Sequence, residues 1–460
     1  MRTEFAEGRL NDPSLREADA ILRTCVHCGF CLATCPTYLL LGDELDSPRG
    51  RLYLAKTMLE SGRPATEPVV RHLDRCLTCY SCMTTCPSGV DYAHLVERAR
   101  DHIEHTYSRP SRDRLLRRSL ATIVPNPALF RFAALAGQIA RVLTRPCARW
   151  LPQRFKAMLV NAPRRIGSPS WVDRPQTIPA EGERRMRVAL LTGCAQQVLR
   201  PEINEATVRV LTRHGCEVVI ARGAGCCGAI LHQLGSAESA KRFARTNIAA
   251  WGRELEAGEL DAVVFNASGC GLAVRDYGHL LANEPELAAQ AARIAGLARD
   301  VTEVLLKLGL KPLPARLPER IPVTYHAACT MQHGLGLRTQ SKALLIQAGF
   351  VVSEPEEAHL CCGSAGTYSV LQPELSAALR QRKLSAIRAR APSVVATDNI
   401  GCITQLGGKD GIPVVHTVEL LDWATGGPKP VRFPEVKQRN RRPSASADLS
   451  ACATTDAGRR

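Results

Sequence analysis

Beyond Met186 the chain alternates short apolar runs with longer amphipathic stretches. Val188-Ala189-Leu190-Leu191 predicts a strand leading to Cys194, Ile203 to His214 a helix, and Cys216 to Ala221 a second strand before Cys226-Cys227-Gly228. Ser236 to Leu255 predicts a helix, and Asp261 to Ala267 a third strand running into Ser268-Gly269-Cys270. The same order then recurs. Pro322 to Cys329 is a strand ending in cysteine, Thr339 to Ala348 a helix, and Phe350 to Ser353 a strand before Cys361-Cys362-Gly363. Pro373 to Arg390 is a helix, and Ser393 to Thr397 a strand followed by Ile400-Gly401-Cys402. Thirty-two positions separate Cys194 from Cys226, and 32 separate Cys329 from Cys361. This is an internal repeat offset by 135 positions. Strands alternating with helices predict a parallel α/β layer in each copy.

The N-terminal part has a different grammar. Ser14 to Leu22 predicts a helix, Leu52, Leu54, Ala55, Met58 and Leu59 mark a helical stripe, and Tyr92 to His105 predicts another helix. Pro127 to Leu143 is amphipathic, with Leu129, Phe130, Phe132, Leu135, Ile139 and Val142 set against Arg131, Gln138 and Arg141. Such a helix packs on its own protein, on a partner or on a membrane surface. With two C-x2-C-x2-C-x3-C-P runs in the N-terminal part, at Cys25–Pro36 and Cys76–Pro87, the predicted fold class is α/β, with an N-terminal α-helical ferredoxin-like domain and duplicated parallel α/β Cys-Cys-Gly modules at the C-terminus. The expected divisions are 1–107 for the ferredoxin-like domain, 108–185 for a basic Pro/Arg-rich connector, 186–315 and 316–424 for the two modules, and 425–460 for a disordered basic tail.

Cysteine spacing supplies the chemistry. Cys25-x2-Cys28-x2-Cys31-x3-Cys35-Pro36 and Cys76-x2-Cys79-x2-Cys82-x3-Cys86-Pro87 both follow the run of two-cluster ferredoxins, whose fourth cysteine ligates the other cluster. The pattern assigns Cys25, Cys28, Cys31 and Cys86 to one [4Fe–4S] cluster, and Cys76, Cys79, Cys82 and Cys35 to the other. The prolines are expected to turn the chain away from further helix. Zinc also binds C-x2-C pairs but requires neither the third cysteine nor the fourth before proline. In the repeat, Cys194, Cys226, Cys227, Cys270, Cys329, Cys361, Cys362 and Cys402 all follow strand ends, the edge where ligands sit in open α/β sheets. One or two further iron–sulfur centres fit them; burial as core thiols is the alternative. Cys147, Cys216 and Cys452 fall outside these sets, and Val351 occupies the repeat position of Cys216. Gly223-Ala224-Gly225-Cys226-Cys227-Gly228 matches G-x-G-x-x-G by letter, but its second copy lacks the first two glycines. His27 reads as a water-exposed loop residue, and Asp101, His102, Glu104 and His105 as helix-face residues.

Composition narrows the setting. The 460 residues contain 19 cysteines and no apolar run long enough to span a membrane. Met1 to Asp12 lacks the apolar core of an export signal, so a reducing cytoplasmic compartment and metal thiolates are expected rather than disulfides. The net charge is +16, and Arg98 to Arg187 alone carries 19 Lys/Arg against 6 Asp/Glu. That surface suits an acidic partner, an anionic membrane or a solvated face. No aromatic platform for nucleic acid accompanies it, so no nucleic-acid partner is expected.

The stretches around Cys25–Cys35, with Leu41-Gly42-Asp43-Glu44 and Ser47-Pro48-Arg49-Gly50-Arg51, resemble the iron–sulfur subunits of glycolate oxidase. The likeness continues through Leu73–Cys79, Cys86-Pro87-Ser88-Gly89-Val90, both Cys-Cys-Gly modules and Val415–Trp423. It implies an electron-transfer subunit without catalytic residues of its own, FAD confined to partner flavoprotein subunits that oxidise glycolate to glyoxylate, a quinone-type acceptor, and peripheral contact with the inner membrane. Lactate, glycerol 3-phosphate and heterodisulfide oxidoreductases have related subunits. In modules of the heterodisulfide reductase type the last motif is C-x2-C. Here Ala267 and Asn399 stand where its first cysteine would be, which leaves four cysteines per module.

Overall fold

The computed structural model describes residues 1–144, 166–311, 321–407 and 412–433, with the single positions 155 and 158. Helices α1 (Pro13–Thr24), α2 (Pro36–Leu41), α3 (Pro48–Ser61), α4 (Glu67–Asp74), α5 (Ser81–Thr85) and α6 (Tyr92–Thr106) make up the N-terminal region. Asp12 caps α1 by accepting the Ser14 N–H, and Ser47 caps α3 through the Gly50 N–H, each with proline in the first helical turn. Leu15, Ala18 and Leu22 of α1, Leu52, Ala55 and Leu59 of α3, and Leu95, Ala99 and Ile103 of α6 form a shared core. Their spacing places them on one face of each helix. Pro36 does not end a helix as expected. It starts α2, where a missing N–H costs nothing.

The stretch 108–185, expected as a connector, carries regular elements among its described residues. It contains α7 (Ser111–Ile123), α8 (Pro127–Leu143) and a strand, β1 (Gln176–Ile178). Arg109 and Arg117 are buried and ion-paired with Asp74, with Glu104 and Asp113 alongside. Glu104 is thus a structural partner, and part of the local positive charge is spent internally. On α8 only Ala134 is buried, while Leu129, Phe132, Leu135, Ile139, Val142 and Leu143 are exposed, Phe132 at 73%. Most of the apolar stripe stays exposed, although α8 contacts α7 and the helix Ala195–Leu199, and Phe130 is half-buried.

Two sheets follow. Strands β2 (Met186–Leu190), β3 (Cys216–Ile220), β4 (Ala262–Phe265) and β5 (Ala298–Asp300) are parallel, in order β3-β2-β4-β5, with β1 antiparallel on the β3 edge. Strands β6 (Pro322–Tyr325), β7 (Val351–Ser353), β8 (Val394–Thr397) and β9 (Val414–His416) repeat that order as β7-β6-β8-β9. Continuous burial of Val188-Ala189-Leu190 and Val263-Val264-Phe265 is what parallel strands covered on both faces require. One core runs through both sheets. The modules exchange helices: Thr417–Ala424 packs on Glu202–Arg213, and Val301–Leu308 on Gln340–Gln347. Arg209 and Arg213 grip Asp422, and Arg200 makes a buried bidentate pair with Glu419. Phe433, expected within the tail, is buried against Trp423; residues 434–460 lie outside the described region. Among the described residues no helix is long and apolar enough to cross a membrane.

Candidate functional site

The two N-terminal cysteine loops are shaped alike. His27 and Gly29 in the first, and Thr78 and Tyr80 in the second, hold positive φ at matching positions. Three of these are not glycine, so the tertiary structure holds a backbone that L-residues disfavour. The kinks bend each loop so that its three cysteines border one cavity, Cys28 at the exposed rim. Cys25, Cys28, Cys31 and Cys86 line one cavity, and Cys35, Cys76, Cys79 and Cys82 line a second; Cys82 borders both. Each cavity therefore combines a triplet from one run with the fourth cysteine of the other. Burial, with Cys25 and Cys35 close by, pushes the Cys31 thiol up to about 11, although the Arg49 N–H opposes it. Burial likewise raises Cys79 and Cys82. Such crowded sulfurs ionise together only around a cation, which is the condition an iron–sulfur core supplies.

The sequence did not single out what surrounds the second cavity. Arg51 is 1% exposed. Its Nη1 lies 3.9 Å from Cys35 Sγ, Nη2 donates to Thr37 Oγ1 at 3.0 Å and pairs with Asp46 at 3.2 Å, and Nε donates to the His72 carbonyl at 2.7 Å. The Tyr92 hydroxyl points at Cys76 Sγ from 3.7 Å. The only signal was the Ser-Pro-Arg-Gly-Arg stretch, which carried likeness but no role. His27 is exposed as expected, and its carbonyl accepts from Arg49.

In the repeat every cysteine of the two sets follows a strand end. Cys329 Sγ lies 3.7 Å from Cys361 Sγ, and Cys362 Sγ 3.3 Å from Cys402 Sγ. In the first module Cys194 and Cys227 hydrogen-bond Cys226, which holds Cys226 well below the usual thiol range and raises the other two. The glycine of each Cys-Cys-Gly has a definite task. Gly228 and Gly363 adopt φ of +84° and +87°, and each N–H donates to the first sulfur of its pair at 3.4 Å. A Cβ there would meet the Ala240 or Ser376 carbonyl oxygen at 3.0 or 2.7 Å. Within the Gly223–Gly228 letters, Gly228 thus serves sulfur, and the Gly225 N–H donates to Asn247 Oδ1 at 2.8 Å. Asn399 caps the helix that follows it and donates to Ser268 Oγ across the modules. Ser268 Oγ also meets Thr330 Oγ1 at 2.7 Å, so the cysteine loops adjoin where the halves meet. Cys216 is fully buried in β3, its thiol raised to about 12 by burial. Cys147 and Cys452 lie outside the described residues.

The helical region sits on these loops. Leu77, Cys79, Cys361, Tyr368 and Leu379 form one apolar cluster, with Cys329 against it. Tyr368 donates to the Arg75 carbonyl, and Thr84 Oγ1 meets His333 Nδ1 at 2.8 Å. On the other side His94 bridges Asp91 at 2.6 Å and Asp276 at 3.0 Å, and stacks on His279. A cavity there is bordered by Tyr80, His94, Glu97, Cys227 and Asp276.

Paired ferredoxin-type loops pressed against two matched thiol-bearing α/β modules define the class of iron–sulfur proteins. Comparison with known proteins agrees and goes further. Residues 21–90 match the 4Fe-4S dicluster domain, and 188–275 and 323–407 each match the Cysteine-rich domain. The glycolate oxidase iron–sulfur subunit of Escherichia coli (strain K12) is 42% identical over 92% of this chain and 99% of its own. The probable glycolate oxidase iron–sulfur subunit of Bacillus subtilis (strain 168) is 33% identical over 90% and 97%. Lactate utilization protein A of Bacillus velezensis is 29% identical over 52% of this chain and 99% of its own. The chain belongs to the family of glycolate oxidase iron–sulfur subunits.

Proposed function

We propose that this chain carries electrons from a partner FAD subunit, which oxidises glycolate to glyoxylate, towards a quinone-type acceptor. Iron–sulfur clusters take electrons singly, so a chain of them divides the two-electron output of a hydroxy-acid oxidation. In this reading Cys25, Cys28, Cys31 and Cys86 hold one [4Fe–4S] cluster, and Cys35, Cys76, Cys79 and Cys82 hold the other. The eight cysteines of the modules hold at least one further centre. The observation that carries the reading is the seating of the Cys79 loop against Cys329 and Cys361, which brings ferredoxin and module sulfurs into one interior. His94, Glu97 and Asp276 beside Cys227 suit an acceptor that takes protons with its electrons. The exposed stripe of α8, beside exposed Arg112, Arg114 and Arg118, is the surface we assign to the flavoprotein or to a peripheral membrane contact. A lactate-oxidising complex is the second reading, favoured by the likeness to Lactate utilization protein A. The test is to isolate the assembled complex and measure acceptor reduction with glycolate, lactate and glycerol 3-phosphate. Glycolate should give the highest kcat/KM; a tenfold preference for lactate would replace the proposal with the second reading.

A further inference from the structure

We infer that the centre of the second module is ligated by nitrogen as well as sulfur, with His326 supplying an imidazole ligand beside Cys362 and Cys402. The inference rests on the reading that this module holds an iron–sulfur centre. His326 follows β6, and its backbone N–H donates to the Ala396 carbonyl at 2.8 Å, which fixes it at the same sheet edge as Cys329. One ligand atom of His326, Cys362 and Cys402 each lies within 4.8 Å of the other two. The imidazole is 1% exposed, yet among the described residues neither Nδ1 nor Nε2 has a hydrogen-bond partner. A buried ring with both nitrogens idle is costly, and native interiors avoid it.

The other buried histidines among the described residues each set a ring nitrogen against a polar partner, His72 through Nδ1 at 3.1 Å from Asp46 Oδ1. His416 accepts from the Val418 N–H and meets the Asn266 carbonyl, and His214 meets the Val210 carbonyl and accepts from the Lys311 N–H. His326 departs from that pattern only where thiols supply a site for a metal, and imidazole suits iron. The first module has no counterpart. The residue 135 positions earlier is Leu191, buried and apolar. The two modules are therefore chemically unequal: one offers four thiols, the other four thiols and an imidazole. Replacing thiolate by imidazole raises the potential of an iron–sulfur centre. The more readily reduced module centre then lies beside the Cys79 loop, where electrons leave the ferredoxin region.

The experiment is pulsed electron paramagnetic resonance on the reduced, fully loaded full-length protein, grown with ordinary or selectively 15N-labelled histidine. Iron is counted against the eight that two four-iron clusters require. The expected result is an iron count above eight, with a nitrogen modulation on one centre that changes on histidine labelling. In His326→Cys the iron count should hold, the modulation should vanish and that centre's potential should fall. His326→Leu, which copies the first module, should also lose the modulation. The labelled wild-type protein settles the matter even where a variant fails to fold. Iron above eight with spectra indifferent to labelling would overturn the imidazole ligand and leave the iron–sulfur reading standing. Iron of eight or fewer, or zinc in the module, would overturn both.

Discussion

Replacing Arg51 by methionine keeps most of its volume and removes its charge from the space beside Cys35 and Cys76. The guanidinium is 3.9 Å from Cys35 Sγ. An electron added to the attached cluster is spread a few ångströms further, at about 7 Å. At an effective dielectric of about 20 that places the charge–electron attraction near 2.4 kcal/mol. For one electron this is about 100 mV, since about 59 mV corresponds to a tenfold change in equilibrium. The potential of the cluster assigned to Cys35, Cys76, Cys79 and Cys82 should therefore fall by about 100 mV, and the other should move less. Stability should fall as well. Asp46 is fully buried and would keep only Arg75 at 2.7 Å and His72 at 3.1 Å. That retained pairing puts the loss at about 3 kcal/mol, the low end for a broken buried pair. Arg51→Lys keeps the charge but not the fork of donors, so it should restore most of the potential and little of the stability. Redox titration followed by electron paramagnetic resonance, with anaerobic denaturant unfolding, reads both quantities. Two clusters assembled at unchanged potentials in Arg51→Met would refute the electrostatic role.

Three further outcomes are expected. Cys35→Ser should disturb the spectrum of the cluster assigned to Cys76, Cys79 and Cys82; disturbance confined to the Cys25, Cys28 and Cys31 cluster would exclude crossed ligation. Burial alone would lower the His94 pKa, but Asp276 and Asp91 raise it to about 11 from 6.5. Because the folded value is the higher one, its stabilisation is complete below about pH 6.5 and is lost as pH rises towards 11. The unfolding penalty of His94→Gln should accordingly be largest in mild acid and shrink in alkali; a penalty that grew with pH would reverse the assignment. Replacing Arg114 and Arg118 by glutamate should weaken partner or membrane association most at low salt, where charge attraction reaches over about 30 Å, and less at physiological salt, where it is screened over about 8 Å. Replacing Leu129 and Phe132 by serine should weaken it at all salt concentrations, and a sedimentation assay unaffected by either pair would remove α8 and its neighbours from the interface. Arg117 belongs in neither set, since its ion pairs with Asp74 and Asp113 make it structural.

Period and spacing carried α1, α3 and α6 and the central strands of both modules, because these are long or continuously apolar, whereas the short α2, α4 and α5 were not read. The fourth strand of each sheet was not legible: Ala298-Arg299-Asp300 and Val414-Val415-His416 are three-residue edges that only their parallel neighbours define. β1 was hidden for the same reason, inside a Pro- and Arg-rich stretch. Cysteine positions were legible because thiol spacing is short-range. Arg51 and His326 were not, since their significance lies in burial beside sulfurs distant in sequence. Arg117 read as surface charge because its partner Asp74 is 43 residues away. The amphipathic pattern of α8 was legible, but only the structure shows that most of its apolar side faces outward.

The central claim is that electrons from glycolate pass through the ferredoxin clusters of this chain. It is tested most directly by rapid-freeze electron paramagnetic resonance of the assembled complex after mixing with glycolate. The account predicts that reduced iron–sulfur signals assigned to this chain appear before the acceptor is reduced. In a complex carrying Cys28→Ser and Cys79→Ser, acceptor reduction should stop while the flavin still becomes reduced. Acceptor reduction at the wild-type rate in that variant, with its cluster signals absent, would contradict the account.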